Sequence, residues 1–206
     1  MKIGVLALQG DFDAHRRRLE ELGAEVVLVK KLQQLDAIDG LVIPGGESGT
    51  FLKLLGEEGF EKLKAFARTK PTFGTCAGAI LLATEVENPQ QAGLGVLDIR
   101  IRRNAYGRQI DSSIREGKLL PNALNATPHA NPGNGQAGPS PLEMVFIRAP
   151  KIERVGPAVE VIATEGQDDA PVAVRQGTVM AATFHPELSD DTRIHQSFLD
   201  LIAAVK

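Results

Sequence analysis

The chain has no tryptophan, one tyrosine and one cysteine among 206 residues, and each shortage excludes something. A single thiol allows neither an internal disulfide nor a cysteine-based zinc cluster, which suits a reducing compartment and calls for no metal or other cofactor. So few large aromatics offer little surface for stacking bases, and a net charge of −3 supplies no basic field for phosphate backbones. Nucleic acid is not an expected partner. No apolar run approaches the ~18 residues needed to cross a bilayer. Met1-Lys2 leads straight into an apolar strand without a charged leader or cleavage site, and Val205-Lys206 carries no lipidation signal. The expected location is cytoplasmic. With 43% hydrophobic and 24% charged residues, the composition suits one domain, expected to span 1–206.

The order of apolar runs predicts the fold class. Lys2 to Leu8, Glu25 to Val29 and Gly40 to Ile43 read as short buried strands. Between and after them, Asp13 to Leu22, Phe51 to Leu55 and Phe60 to Thr69 carry apolar residues at helical spacing. Alternating strands and helices imply right-handed βαβ crossovers, hence a three-layer α/β fold with a mostly parallel sheet covered on both faces. Leu94 to Ile101 reads as a further strand. Met144 to Ile147, Glu160 to Thr164, Pro171 to Arg175 and Thr178 to Thr183 follow at short spacing and predict an antiparallel extension of that sheet. Thr192 to Val205 closes the chain as an amphipathic helix. Pro121 to Leu142 holds five of the twelve prolines and no Asp, Glu, Lys or Arg, so it is expected to form a long exposed loop rather than a linker between domains.

The lone cysteine sits in Thr72-Phe73-Gly74-Thr75-Cys76-Ala77-Gly78, between the end of a buried strand and the apolar run Ala79 to Ala83. A nucleophile flanked two residues away by glycines is the pattern of a sharp strand-to-helix corner, where a β-carbon on either flank would collide with the chain. On cysteine alone, a small buried hydrophobe is the better reading, and the two glycines reverse it. Where the third strand ends, Pro44-Gly45-Gly46-Glu47-Ser48-Gly49-Thr50 forms a loop on the same side of the sheet. Adjacent glycines let a peptide N–H turn toward a developing oxyanion, and Glu47 is a candidate acceptor for the ammonium of an amino acid.

The chain reaches His185-Pro186-Glu187 at the end of its last apolar strand. Proline biases the preceding residue toward extended backbone, in which residues two apart project to one side, so His185 and Glu187 are expected to pair. A thiol needs a base, and the base needs an acceptor on its other ring nitrogen to fix the tautomer. Cys76, His185 and Glu187 fill those roles in order. His15, His129 and His195 are read as structural, and Arg16-Arg17-Arg18 beside Glu20-Glu21 as a solvated helix face.

Taken together, these segments resemble class I, triad-type glutamine amidotransferases. More narrowly, Leu8-Gln9-Gly10, Pro44 to Ser48, Gly74 to Gly78, Arg103-Asn104 with Gly107-Arg108-Gln109, and Phe146 to Pro150 are similar to the glutaminase subunits of pyridoxal 5′-phosphate synthases. Gly49 stands where that family usually has a hydroxyl residue, and Pro121 to Leu142 is longer than its usual connection. The resemblance implies a flavodoxin-like glutaminase fold and hydrolysis of L-glutamine to L-glutamate and ammonia by Cys76, His185 and Glu187. It further implies an oxyanion hole from the N–H groups of Gly46 and Ala77, and glutamine held by Gly46, Glu47, Ser48, Arg103, Ile147 and Arg148. The implied partner is a synthase subunit, in a large hetero-oligomer, that builds the vitamin from ribose 5-phosphate and glyceraldehyde 3-phosphate. A glutaminase feeding another pathway, such as imidazole glycerol phosphate synthesis, a non-catalytic glutamine-binding module and a cysteine hydrolase for another amide remain open on the residues alone.

Overall fold

A computed structural model describes residues 1–105, 112–123 and 138–205. Gly107, Arg108, Gln109, His129 and the middle of the Pro121–Leu142 run lie outside the described residues. The first half alternates strand and helix as expected: β1 (Lys2–Leu6), α1 (Phe12–Glu21), β2 (Glu25–Val29), β3 (Gly40–Ile43), α2 (Ser48–Thr69), β4 (Thr72–Thr75) and α3 (Ala77–Leu82). Gly56, at φ 61°, breaks α2 into two helical segments, which correspond to the two separate helical patterns of the sequence. The second half is mostly strand: β5 (Ala83–Glu87), β6 (Leu97–Arg102), β7 (Ser113–Leu119), β8 (Ser140–Phe146), β9 (Lys151–Val155), β10 (Glu160–Glu165), β11 (Ala170–Gln176) and β12 (Val179–Ala182), closed by α4 (Arg193–Ala204).

Among the described residues, nine strands form the main sheet in the order β2-β1-β3-β4-β12-β11-β10-β7-β8. The first five run parallel. From β12 outward each neighbour is antiparallel. The fold is therefore α/β with a parallel core and an antiparallel extension.

Alternation along the strands divides the core into two apolar layers. Leu6, Leu41, Ile43, Val179 and Ala181 face one side with Phe51, Leu55 and Leu63 of α2 and Ala79 to Leu82 of α3. Ile3, Val5, Val42, Phe73, Met180 and Ala182 face the other, with Leu19 of α1 and Ile194, Phe198 and Ile202 of α4. Each fully buried side chain of this size stabilises the fold by about 1.5–3 kcal/mol.

Four expectations are corrected. Ala83 leaves the elbow helix and opens β5, which with β6 and β9 makes a separate three-stranded sheet. Leu97, Ile99, Ile101 and Ile152 press that sheet onto the α2/α3 layer, so its apolar face completes a core rather than extending the main sheet. Second, β6 starts at Leu97 instead of Leu94, because the N–H groups of Leu94, Gly95 and Val96 turn back to the carbonyls of Leu81, Ala83 and Leu82. Third, β7 and β9 were not anticipated. Only alternate residues of β7 are buried, chiefly toward its end, so its apolar signal is faint. Fourth, the proline-rich run is structured at both ends, with a 3-10 turn at Pro121–Ala123 and β8 from Ser140. Pro141 is tolerated there because β8 is an edge strand.

Candidate active site

The parallel half of the sheet builds the corner expected around the lone cysteine. Cys76 follows β4 and precedes α3, and its own backbone takes a positive φ that side chains rarely adopt, φ 46° and ψ −101°. A non-glycine residue held there costs about 1–3 kcal/mol, which the surroundings must offset. The Cys76 N–H donates to the Ala182 carbonyl (2.8 Å) and its carbonyl accepts from the Ile80 N–H (3.1 Å), pinning both ends of the corner. The flanking glycines are required by close approach: a β-carbon on Gly78 would run into the Ile43 carbonyl, and one on Gly74 into the Gly78 backbone. Cys76 is 7% exposed.

His185 lies where β12 gives out, next to β4 in the sheet, and this adjacency brings it to Cys76. The Cys76 thiol is close enough to the ring to favour its protonated form. Nδ1 lies 2.7 Å from Glu187 Oε1. Pairing was expected from an extended chain, but Pro186–Leu188 is a 3-10 turn, closed by the Leu188 N–H on the His185 carbonyl (3.2 Å). The turn folds the carboxylate back under the ring. Burial opposes a charge on His185, yet the neighbouring Cys76 and Glu187 outweigh burial and lift its pKa from 6.5 to about 10. Burial also opposes ionisation of Glu187, but His15 and His185 together hold it down at about 2. Thiol, imidazolium and carboxylate thus stand in one buried row.

The glycine loop leans on this row. A β-carbon on Gly45 would strike the His185 ring, and Gly46 sits at φ 135° against the Gln9 amide. Gln9 clamps the next residue from both sides, accepting from the Glu47 N–H (3.1 Å) and donating to the Glu47 carbonyl (3.3 Å). The Glu47 side chain caps α2, accepting from the N–H groups of Gly49 (3.1 Å) and Thr50 (2.6 Å), and also takes Arg103 Nη2 at 3.0 Å. Partial burial works against the charge, and these donors hold the carboxyl below its usual range. Glu47 is thus engaged by its own chain, and Arg103 is drawn to the loop. Ser48 turns inward, donating to Gln91 Oε1 at 2.9 Å, with 2% exposure. Ala77 opens α3 directly after the thiol.

Ile147 and Arg148 follow β8, at the far edge of the sheet, and the strand that precedes them is bonded to the site. The antiparallel extension curls so that the Val145 carbonyl accepts from the His185 N–H (2.8 Å), and Ser189 Oγ donates to Glu143 Oε1 (2.8 Å). Arg148 is exposed, at φ 45°. Asp11, His185 and Glu187 bring one ligand-type atom each within 4.8 Å of one another. The two buried members of that group already bond each other, so it offers a cation little beyond an exposed carboxylate.

Two residues read as structural belong to this neighbourhood. His15 of α1 places Nε2 3.2 Å from Glu187 Oε2 and 3.0 Å from Thr75 Oγ1, and its Nδ1 lies 3.0 Å from His195 Nε2. No local pattern marks them, since they come from opposite ends of the chain.

A strained thiol beside an imidazole and carboxylate, on a doubly covered parallel sheet, can carry out acyl transfer through a thioester. A model of the SNO glutamine amidotransferase family matches residues 5–204, and the chain belongs to that family. Its relatives include the pyridoxal 5′-phosphate synthase subunit PdxT of Koribacter versatilis, 61% identical over 98% of this chain and 96% of that protein. The PdxT of Thermosipho africanus is 47% identical over 98% of this chain and 99% of its own. A crystal structure of a glutamine amidotransferase superposes with a TM-score of 0.81 at 41% identity, covering 98% of both chains.

Proposed function

We propose that this chain is the glutaminase subunit of a pyridoxal 5′-phosphate synthase, working in the cytoplasm as one domain over 1–206. It hydrolyses L-glutamine to L-glutamate and ammonia and passes the ammonia to a synthase subunit. The names of its relatives and its full-length family match support the pathway. The observation that carries the chemistry is the buried row in which the Cys76 thiol neighbours His185 and His185 Nδ1 bonds Glu187 at 2.7 Å.

In this reading the Cys76 thiolate attacks the side-chain amide carbon of glutamine. The tetrahedral oxyanion is held by the N–H groups of Gly46 and Ala77. The C–N bond then breaks while protonated His185 gives its proton to the departing nitrogen, releasing ammonia and leaving a γ-glutamyl thioester. His185, now neutral, takes a proton from water, whose oxygen attacks the thioester carbon; glutamate leaves and the thiol is restored. Glu187 keeps Nδ1 protonated throughout, so the other ring nitrogen is the one that exchanges protons. Gly46, Glu47, Ser48, Arg103, Ile147 and Arg148 surround the glutamine. Glu47 acts by fixing Arg103 and the start of α2, and the Arg103 and Arg148 guanidinium groups suit a carboxylate.

The test is glutamate release by the purified chain, with and without a pyridoxal phosphate synthase subunit. Weak release that rises sharply with the subunit supports both halves of the reading. Release that ignores the subunit removes the pathway assignment, and no release in either case removes the glutaminase.

A further inference from the structure

The catalytic row does not end at Glu187. His15 and His195 are both fully buried, and they continue it from the Oε2 side of the carboxylate. Their tautomers follow from the partners available. His195 Nδ1 is buried with no partner among the described residues. Leaving a bare lone pair there costs less than leaving an N–H, so the proton of neutral His195 sits on Nε2 and is donated to His15 Nδ1 at 3.0 Å. His15 Nδ1 is then the acceptor, and the His15 proton must sit on Nε2. That N–H is shared, with the better-aligned bond going to Thr75 Oγ1 at 3.0 Å and Glu187 Oε2 lying 3.2 Å away. Among the described residues no side chain makes a well-aligned hydrogen bond to Oε2. The His15 N–H is therefore what stands between that oxygen and an unmet charge. Through Thr75 it also touches the residue before the nucleophile.

Resting on the glutaminase reading, we propose that His15 is a positioning residue for the cysteine chemistry. Its Nε2–H steadies the Oε2 side of Glu187, keeping Oε1 on His185 Nδ1. His195 sets the His15 tautomer that makes this possible. Burial favours the neutral form of both rings and agrees with the assignment. The inference differs from a packing role because it depends on one donor at one atom.

The experiment compares His15→Leu with His15→Gln, whose amide nitrogen reaches the Nε2 position. Two quantities are measured: kcat and KM for glutamine with the synthase subunit present, and the rate at which iodoacetamide alkylates the lone cysteine, followed by mass. The leucine variant is expected to lose about 10- to 100-fold in kcat at nearly constant KM, the rate equivalent of removing a donor that faces a buried charge. Its alkylation is expected to slow in parallel, and glutamine to restore both quantities to within about 3-fold. Wild-type kcat in the leucine variant overturns the proposal, as does an equal loss in the leucine and glutamine variants. If leucine prevents folding, His15→Asn replaces it: its amide reaches only the Nδ1 position, so it is expected to fall with leucine, and equal kcat in the Asn and Gln variants overturns the proposal. Should the wild type fail to hydrolyse glutamine, the functional reading falls, while the alkylation rates still decide the role of His15.

Discussion

The two sides of the Glu187 carboxylate hold chemically identical partners in opposite states. On the Oε1 side His185 binds the carboxylate through Nδ1 and stands beside the thiol, and its pKa rises to about 10. On the Oε2 side His15 lies 3.2 Å from the same carboxylate, yet burial pushes its pKa below 6.5. The difference lies in the second neighbour. His185 has an ionisable thiol at the edge of the site, so a proton on its ring is compensated twice. His15 has another imidazole and a hydroxyl as its hydrogen-bond partners, and the exposed Asp11 favours its charge less than burial opposes it. The carboxylate is shared by two rings, and the second neighbour decides which of them holds the proton.

Removing the thiol breaks this contrast most completely. Cys76→Ala is expected to lower glutamine hydrolysis by about 10⁴-fold or more, with a melting curve close to wild type, because it deletes the nucleophile but only a small packing volume. Wild-type glutamate release by that variant would falsify the mechanism. Glu187→Gln comes next, with an expected loss of about 10²- to 10⁴-fold in kcat, since the neutral amide neither stabilises the imidazolium nor fixes its tautomer. Steady-state kinetics at saturating glutamine measures it.

Stability against pH sharpens the same contrast. His15 and His195, the latter lowered to about 3, refuse protons that the unfolded chain accepts below 6.5, so they make stability fall as pH drops from about 6.5 toward 3. His185 holds in the folded state a proton that the unfolded chain releases above 6.5; its contribution is full below that value and is lost as pH rises through about 10. Glu187 contributes above its ordinary 4.5, and this is lost as pH falls toward about 2. Urea unfolding across pH is expected to show a maximum near about pH 6.5, and His185→Gln to remove the alkaline decline while leaving the acidic one. An unchanged alkaline limb would assign it to another group. The smallest effect is expected at the exposed carboxylate: Glu47→Ala removes a helix cap and an ion pair of modest worth, costing about 1 kcal/mol in a thermal or urea melt.

The parallel half of the fold and the Cys76, His185 and Glu187 set were legible because their signals are local. A glycine two residues either side of a nucleophile carries its geometry in the covalent chain, whereas the pairing of His185 with Glu187 was expected from an extended chain and is made by a 3-10 turn. Phe51, Leu63 and Phe73 were legible as core for the same reason, since periodicity reports one face of one element. β7 and β9 escaped because half-exposed strands at a sheet's end carry few apolar residues. His15 escaped because nothing within ten residues distinguishes it from a histidine on any helix.

By itself, the sequence determined the alternation of strand and helix, the sharp corner that must carry Cys76, and the closeness of His185 to Glu187 along the chain, all consequences of rules acting over a few residues. The tertiary structure alone decided that β4 and β12 lie side by side, that Val145 of the curled edge strand bonds the His185 backbone, and that His15 and His195 meet beneath Glu187. Those contacts join residues far apart in the chain, and they form only when two apolar layers close on opposite faces of one sheet.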